Sequence, residues 1–317
     1  MSKDLLNAIM RKIYFNMSYA YYSISLGQPT NDESKNIDDL RNNILRLSPI
    51  ACDSDNESEN EWLSYRIKLR KSILRQDPRL FLKWDVIRKT MFVSNANYIL
   101  NEFSELAKDP RWISAIHEVQ SGCPDRYSVY NESSANLIHH AYSLYSFEKY
   151  MNFDISLFDF VFEFGGGYGS MCRLFHNLGF TGKYLIHDLP EFCYLQEYFL
   201  KSIRMPYHHD LTKTDGISSI FDIKALNNCL SEFMHGNSLY VATWSLSETP
   251  ELLRNNLFTM LPYFDSYLIA FQDAFNEVNN VKYFNEFAGT HPGYKWINFE
   301  IPHLKNNFYL FGKRLQS

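Results

Sequence analysis

The spacing of apolar positions changes near residue 152. Before it, Leu, Ile, Tyr and Phe recur at helical intervals between polar stretches, as in Leu5, Leu6, Ile9 and Ile13, and again in Leu137, Ile138, Ala141, Leu144 and Tyr145. Residues 1–151 are therefore expected to form a mostly helical domain. From residue 152 to 317 short apolar runs alternate with helical patterns, which is how a parallel sheet flanked by helices reads. The predicted strands are Asp159 to Phe164, Lys183 to His187, Pro206 to His209, Ser238 to Thr243, Ser266 to Phe271, Lys295 to Ile301 and Phe308 to Lys313. The loop between the last two is too short for a crossover helix, so they should close an otherwise parallel seven-stranded α/β sheet as an antiparallel hairpin. The polar, acidic run from Asp53 to Glu61 lacks apolar periodicity and predicts an exposed loop.

At 317 residues the chain can bury a core without covalent staples. Its five cysteines, Cys52, Cys123, Cys172, Cys193 and Cys229, are scattered and form no CxxC pair, which fits a reducing, cytoplasmic setting. The first residues, Met1 to Ala8, lack the apolar core of a signal peptide, and no stretch reaches the roughly 18 apolar residues of a membrane span. A net charge of -5 argues against a nucleic-acid partner over the whole surface. One segment is locally basic: Arg66, Lys68, Arg70, Lys71, Arg75, Arg79, Lys83, Arg88 and Lys89, with only Asp77 and Asp85 as acids among them. It reads either as a solvated helix face or as a cradle for an anionic substrate.

The candidate chemistry starts where the strand Phe160-Val161-Phe162 runs through Glu163-Phe164 into Gly165-Gly166-Gly167-Tyr168-Gly169, with a helical pattern after it. Glycines at a strand-to-helix turn permit a tight bend and let a ligand approach the backbone, and the helix start offers free N–H groups. The next strand ends in Asp188, placed about 20 residues on, where a carboxylate can accept hydrogen bonds from both hydroxyls of a ribose. A nucleoside is thereby indicated. A dinucleotide is not: counting Gly-x-Gly-x-x-Gly from Gly165 puts Ser170 at the last position.

Glu163 followed by Gly-x-Gly-x-Gly, with Asp188 after the second strand, resembles the S-adenosylmethionine site of class I methyltransferases. The wider stretch from Phe162 to Leu174, with Gly179-Phe180 and His187-Asp188-Leu189-Pro190-Glu191-Phe192, is similar to the bacterial sugar O-methyltransferase family. The resemblance covers about residues 152–317 and takes in Leu137 to Phe147. It implies a Rossmann-like methyltransferase sheet and S-adenosylmethionine as methyl donor, with S-adenosylhomocysteine as product. It further implies that Gly165, Gly167 and Gly169 line the methionine part, that Gly166 and Tyr168 also bind the cofactor, and that Glu163 orders the turn or the amino group. Asp188 would hold the ribose and Asp210 the adenine amino group, with Leu189, Trp244 and Ser245 as further cofactor-binding residues. The acceptor implied is a sugar, nucleotide-linked or part of a surface polysaccharide.

Ligands of open sheets bind beyond the carboxyl ends of the strands. The fourth strand delivers Glu248 there, the fifth Asp273 and the sixth His303. Methyl transfer to an alcohol gains from a base, and His303 is the first candidate, since imidazole titrates near working pH; Asp273 and Glu248 are its rivals. His139, His140 and Tyr142, on the helix leading into the first strand, could meet the acceptor or complete a core. His208-His209-Asp210 is not part of any HExxH or Cys-rich pattern, so no metal is expected. With 22 Tyr and 25 Phe, aromatic faces are available for stacking on a sugar, although most should build the core. A methyltransferase for another small molecule with an N- or O-acceptor, and an inactive cofactor-binding scaffold, are the competing readings. The helical half is also a surface through which the chain could form a homo-oligomer.

Overall fold

The computed structural model describes residues 17, 19–50, 56–93, 97–233, 236–261 and 263–315. Leu5, Leu6, Ile9, Ile13, Cys52 and residues 53–55 lie outside them. Among the described residues no helix is long and apolar enough to cross a membrane, and Cys123, Cys172, Cys193 and Cys229 are free thiols.

Seven strands form one sheet: β1 (Phe160–Phe164), β2 (Lys183–His187), β3 (Gly216–Ile220), β4 (Ser238–Thr243), β5 (Ser266–Gln272), and, after a small ribbon of β6 (Ala274–Phe275) and β7 (Val278–Asn279), β8 (Tyr294–Glu300) and β9 (Asn307–Arg314). Their order is β3-β2-β1-β4-β5-β9-β8. The first five run parallel; β9 is antiparallel to both β5 and β8, so β8 runs in the same direction as β5. This is the Rossmann-like sheet with a final antiparallel hairpin that the sequence predicts. Reversal of strand order on either side of β1 opens a crevice at the carboxyl ends of β1 and β4, the usual ligand position in such sheets.

β1 shows why the centre of the sheet reads as an unbroken apolar run. Both of its faces are covered, with Val161 on one side and Phe160 and Phe162 on the other. The Val161 side packs against Tyr184, Ile186, Val241 and Leu268 and, beyond them, against helices from the first half of the chain. Those helices are α1 (Asn31–Arg46), α2 (Glu57–Arg75), α3 (Asp85–Thr90), α4 (Asn97–Leu106), α5 (Pro110–Ala115) and α6 (Ala135–Met151). Leu69, Val86, Ile99, Leu137 and Leu144 are among their contributions to this core. The opposite side packs Phe160 and Phe162 against Leu226, Leu257 and Phe284 of α9 (Ile223–Phe233), α10 (Glu251–Met260) and α11 (Asn280–Gly289).

Two local expectations are corrected. Asn56 accepts a hydrogen bond from the Glu59 backbone N–H and starts α2, so the acidic run enters a helix by Glu57 instead of staying a loop. Its acids sit in the first turn, where the helix dipole favours them. The third strand is Gly216–Ile220, not Pro206 to His209; Tyr207 makes only an isolated bridge to Ile217. Its apolar pattern is broken by Ser218, a fully buried residue whose hydroxyl joins the Lys183 ammonium and His208.

Candidate active site

Beyond Phe164 the chain turns through Gly165 at φ +71° and Gly167 at φ +59°, and Gly169 at φ +93° caps helix α7 (Ser170–Asn177). A Cβ on Gly165 would stand 2.4 Å from Cβ of Ser245, so the turn and the end of β4 can approach only because that side chain is absent. Ser245 in turn donates its hydroxyl to the Phe164 carbonyl. Asp188, at the end of β2, faces the same turn. Its Oδ2 accepts from the Gly167 N–H at 3.0 Å and from Gln196 Nε2 at 2.9 Å, and its Oδ1 accepts from the Leu189 N–H at 2.7 Å. Glu163 lies beneath the turn and accepts from the Tyr184 hydroxyl at 2.9 Å. Burial pushes the Glu163 carboxyl up to about 8 and that of Asp188 up to about 7.

These groups border a cavity of ≈ 970 Å³ at the carboxyl ends of the strands. Of the sequence-predicted residues, Glu163, Gly165, Gly166, Gly167, Tyr168, Asp188, Leu189, Trp244, Ser245, Glu248 and His139 line it. Gly169 shapes the turn from just outside. Two predicted residues are elsewhere. Asp210 precedes β3 instead of following it; it is exposed, and its Oδ1 accepts from Thr212 N and Oγ1 at 3.0 and 2.7 Å. The carboxyl end of β3 brings Phe221 to the cavity in its place. Asp273 is exposed and accepts from the Ala274 N–H, capping the ribbon after β5, so it does not reach the reaction space.

His303 is at the sheet edge its strand predicts, but it stands behind the cavity wall. Its Nε2 is 3.0 Å from Glu102 Oε1, and its ring lies against those of Tyr98 and Tyr142. Tyr142 likewise does not line the cavity. Glu102, on α4, has no solvent exposure and was not legible in the sequence. It meets a second imidazole, since His139 Nδ1 lies 2.8 Å from Oε1 and 3.0 Å from Oε2. Burial pushes the Glu102 carboxyl up, but the charges and hydrogen bonds of His139 and His303 outweigh it and hold the group below its ordinary value. With Glu102 at Nδ1, Nε2 is the His139 ring nitrogen left for a partner in the cavity. Trp244, held at φ +61° with its Nε1 donating to Asn307 Oδ1 at 2.7 Å, lays its ring 4.7 Å from that of His139.

The roof is α2 with the segment after α3. Ser58 donates to the Glu248 carbonyl at 2.6 Å, and Arg66 and Arg70 both hold the buried Glu191 carboxylate, at 2.7 and 2.6 Å. Glu191 belongs to α8 (Pro190–Ser202), which follows the Asp188 turn. Met91 leans over Gly167, with Sδ 3.1 Å from where a Cβ would be; Asn136 fixes the segment by accepting from Val93 N–H at 2.7 Å and donating to the Met91 carbonyl at 2.6 Å. The basic stretch is largely neutralised within the fold: Arg79 pairs with Asp77, Lys83 and Arg88 with Asp125, and Lys89 with Asp85. Lys68, Lys71 and Arg75 are exposed on α2, a solvated face. Burial pushes the Glu248 carboxyl up to about 7, with Glu61 adding to the effect. Among the described residues no group of three or more His, Cys, Asp or Glu side chains is arranged to hold a metal ion.

No family model matches the chain, and no curated protein matches its sequence. Solved structures overlap it only distantly. They include an SAH-bound methyltransferase from Podospora anserina at 8% identity and TM-score 0.37, covering 85% of this chain and 100% of that one. An rRNA methylase from Streptococcus thermophilus overlaps at 13% identity and TM-score 0.36, over 52% of this chain and 95% of that one. Precorrin-6y C5,15-methyltransferase from Geobacter metallireducens does so at 14% identity and TM-score 0.35, over 55% and 86%. Overlaps this slight decide neither cofactor nor substrate.

Proposed function

We propose that the chain is an S-adenosylmethionine-dependent O-methyltransferase acting on a small hydroxylated acceptor, a sugar by the family resemblance. The observation that carries the reading is the union of Asp188 with the glycine turn: a ribose-type carboxylate locked onto the Gly167 N–H beside a bend that only glycine permits at Gly165. A nucleoside with a bulky, positively charged tail fits there. The Glu163 and Asp188 carboxyls beside it ionise against a bound cation, and the bend leaves backbone open to close approach. When bound, the cofactor supplies a sulfonium-activated methyl group.

The chain's own residues then have three tasks. The turn, Asp188 and Leu189 hold the donor. The wall of Met91, Val93, Tyr98 and Trp244, from the helical half and the turn after β4, shapes the space left for an acceptor. His139 Nε2 removes the proton as the acceptor oxygen takes up the methyl group, which for a weakly acidic alcohol contributes on the order of 10² to 10⁴ in rate. Glu102 holds the ring in the tautomer that can do so. The lining favours a compact acceptor over a polyanion, since its cations Arg66 and Lys89 are already paired with Glu191 and Asp85.

Calorimetric titration with S-adenosylmethionine and S-adenosylhomocysteine tests the donor site. A saturable isotherm is expected for the wild-type protein and none for Asp188→Ala; equal binding by both would remove the site assignment.

A further inference from the structure

His140, next to His139 on α6, also lines the cavity, yet among the described residues its ring has no hydrogen-bond partner. Nδ1 is sealed from solvent with no partner. Buried polar atoms are almost always paired, so one left open beside a ligand cavity asks for an explanation. Burial pushes this imidazole down to about 3, and it is therefore neutral, with one proton to place. On Nδ1 that proton would be a sealed donor facing no acceptor, the rarer and costlier arrangement; on Nε2 it can serve whatever fills the cavity. The neighbouring rings thus take opposite tautomers: His139 carries its proton on Nδ1, toward Glu102, and His140 on Nε2.

We propose that His140 is a specificity-determining residue whose Nε2–H donates to a second oxygen of the acceptor, besides the hydroxyl that His139 deprotonates. The acceptor class is then a diol or its equivalent, an uncharged molecule with at least one oxygen besides the reacting hydroxyl. A lone alcohol satisfies His139 and leaves the His140 donor unpaired. This rests on the methyltransferase reading above and narrows it.

Two measurements decide it. With ¹⁵N-labelled histidine, long-range ¹H–¹⁵N spectra of the free protein, assigned by the signals lost in His140→Phe and His139→Gln, should show His140 protonated at Nε2 and His139 at Nδ1. The Nδ1–H form at His140 would overturn the proposal whether or not an acceptor is known. The second is methyl transfer to methyl glucoside, galactoside and mannoside against derivatives lacking one ring hydroxyl. His140→Phe should lower kcat/KM on an intact diol by about 10-fold to 100-fold and leave the matched deoxy acceptor unchanged, with cofactor affinity preserved. His140→Gln, which can present an amide N–H, should recover part of the loss. An equal loss on diol and deoxy acceptor would overturn the proposal, because it marks a structural role. Failure of the wild-type protein to bind S-adenosylmethionine would strike the underlying reading instead, and the tautomer spectra would still stand as a separate result.

Discussion

His139 and Glu102 meet edge-on, Nδ1 against both carboxylate oxygens at 2.8 and 3.0 Å, in a part of the molecule closed to solvent. Glu102→Gln keeps the shape but presents an amide N–H that can push the imidazole proton to the wrong nitrogen. Turnover should fall by roughly 10²-fold or more while S-adenosylhomocysteine affinity is unchanged. His303→Ala should cost less than about tenfold, because Glu102 retains its bond to His139. Single-turnover rates beside calorimetric Kd values check both, and a His303 variant as impaired as His139→Ala would return the base to His303.

Donor binding should depend on pH. The Asp188 and Glu163 carboxyls stand at about 7 and about 8 in the free protein, both raised by burial. A bound cation and ribose hydroxyls favour the ionised forms, so binding lowers both values and releases protons. Affinity should therefore tighten as pH rises through this range, and titrations in buffers of different ionisation heat should show net proton release. Proton uptake would contradict it. The same shifts act oppositely on the free fold: native carboxyls hold protons that the unfolded chain has lost above about 4.5, so their contribution to stability declines between there and about 8.

Gly165→Ala should damage the site more than its size suggests. The positive φ alone costs about 1 to 2 kcal/mol for an L side chain, and the new methyl would meet Ser245 at 2.4 Å. A lower melting temperature and at least tenfold weaker cofactor binding are expected. Gly293→Ala, where a Cβ meets nothing within 4 Å and φ is not positive, serves as the control and should change neither.

Glu191→Gln removes the charge to which Arg66 and Arg70 are both bonded. Breaking a buried ion pair from one side costs about 3 kcal/mol, and the loss should appear as faster hydrogen exchange along α2 and a lower denaturation midpoint. Burial pushes Glu191 up, but the two arginines hold it below the ordinary value. Its stabilising share is thus present above the unfolded carboxylate range and lost as pH falls through the folded value, so the variant should have a shallower acid limb. Identical acid unfolding curves would show that the pair contributes nothing.

What the sequence revealed was local. The glycine turn, Asp188, the central strands and the last hairpin each sit within a short stretch whose pattern has one physical solution. β3 was misplaced because Ser218 is buried by hydrogen bonds to Lys183 and His208 and breaks the apolar run. Asp210 and Asp273 misled for another reason: a carboxylate just after a strand caps a turn as readily as it meets a ligand, and both do the former. Glu102 left no signal. Its partners lie 37 and 201 positions away, a pairing that only the packing of α4 against α6 and the last hairpin creates.

On the proposed reading, donor capture falls to a single strand-turn-helix-strand unit, whereas the deprotonating pair also needs α4 and α6, which pack on that unit. The two capacities can therefore fail at different times. As the protein is warmed, the outer helices can shift Glu102 away from His139 while the turn still grips its nucleoside, and catalytic output should die before occupancy does.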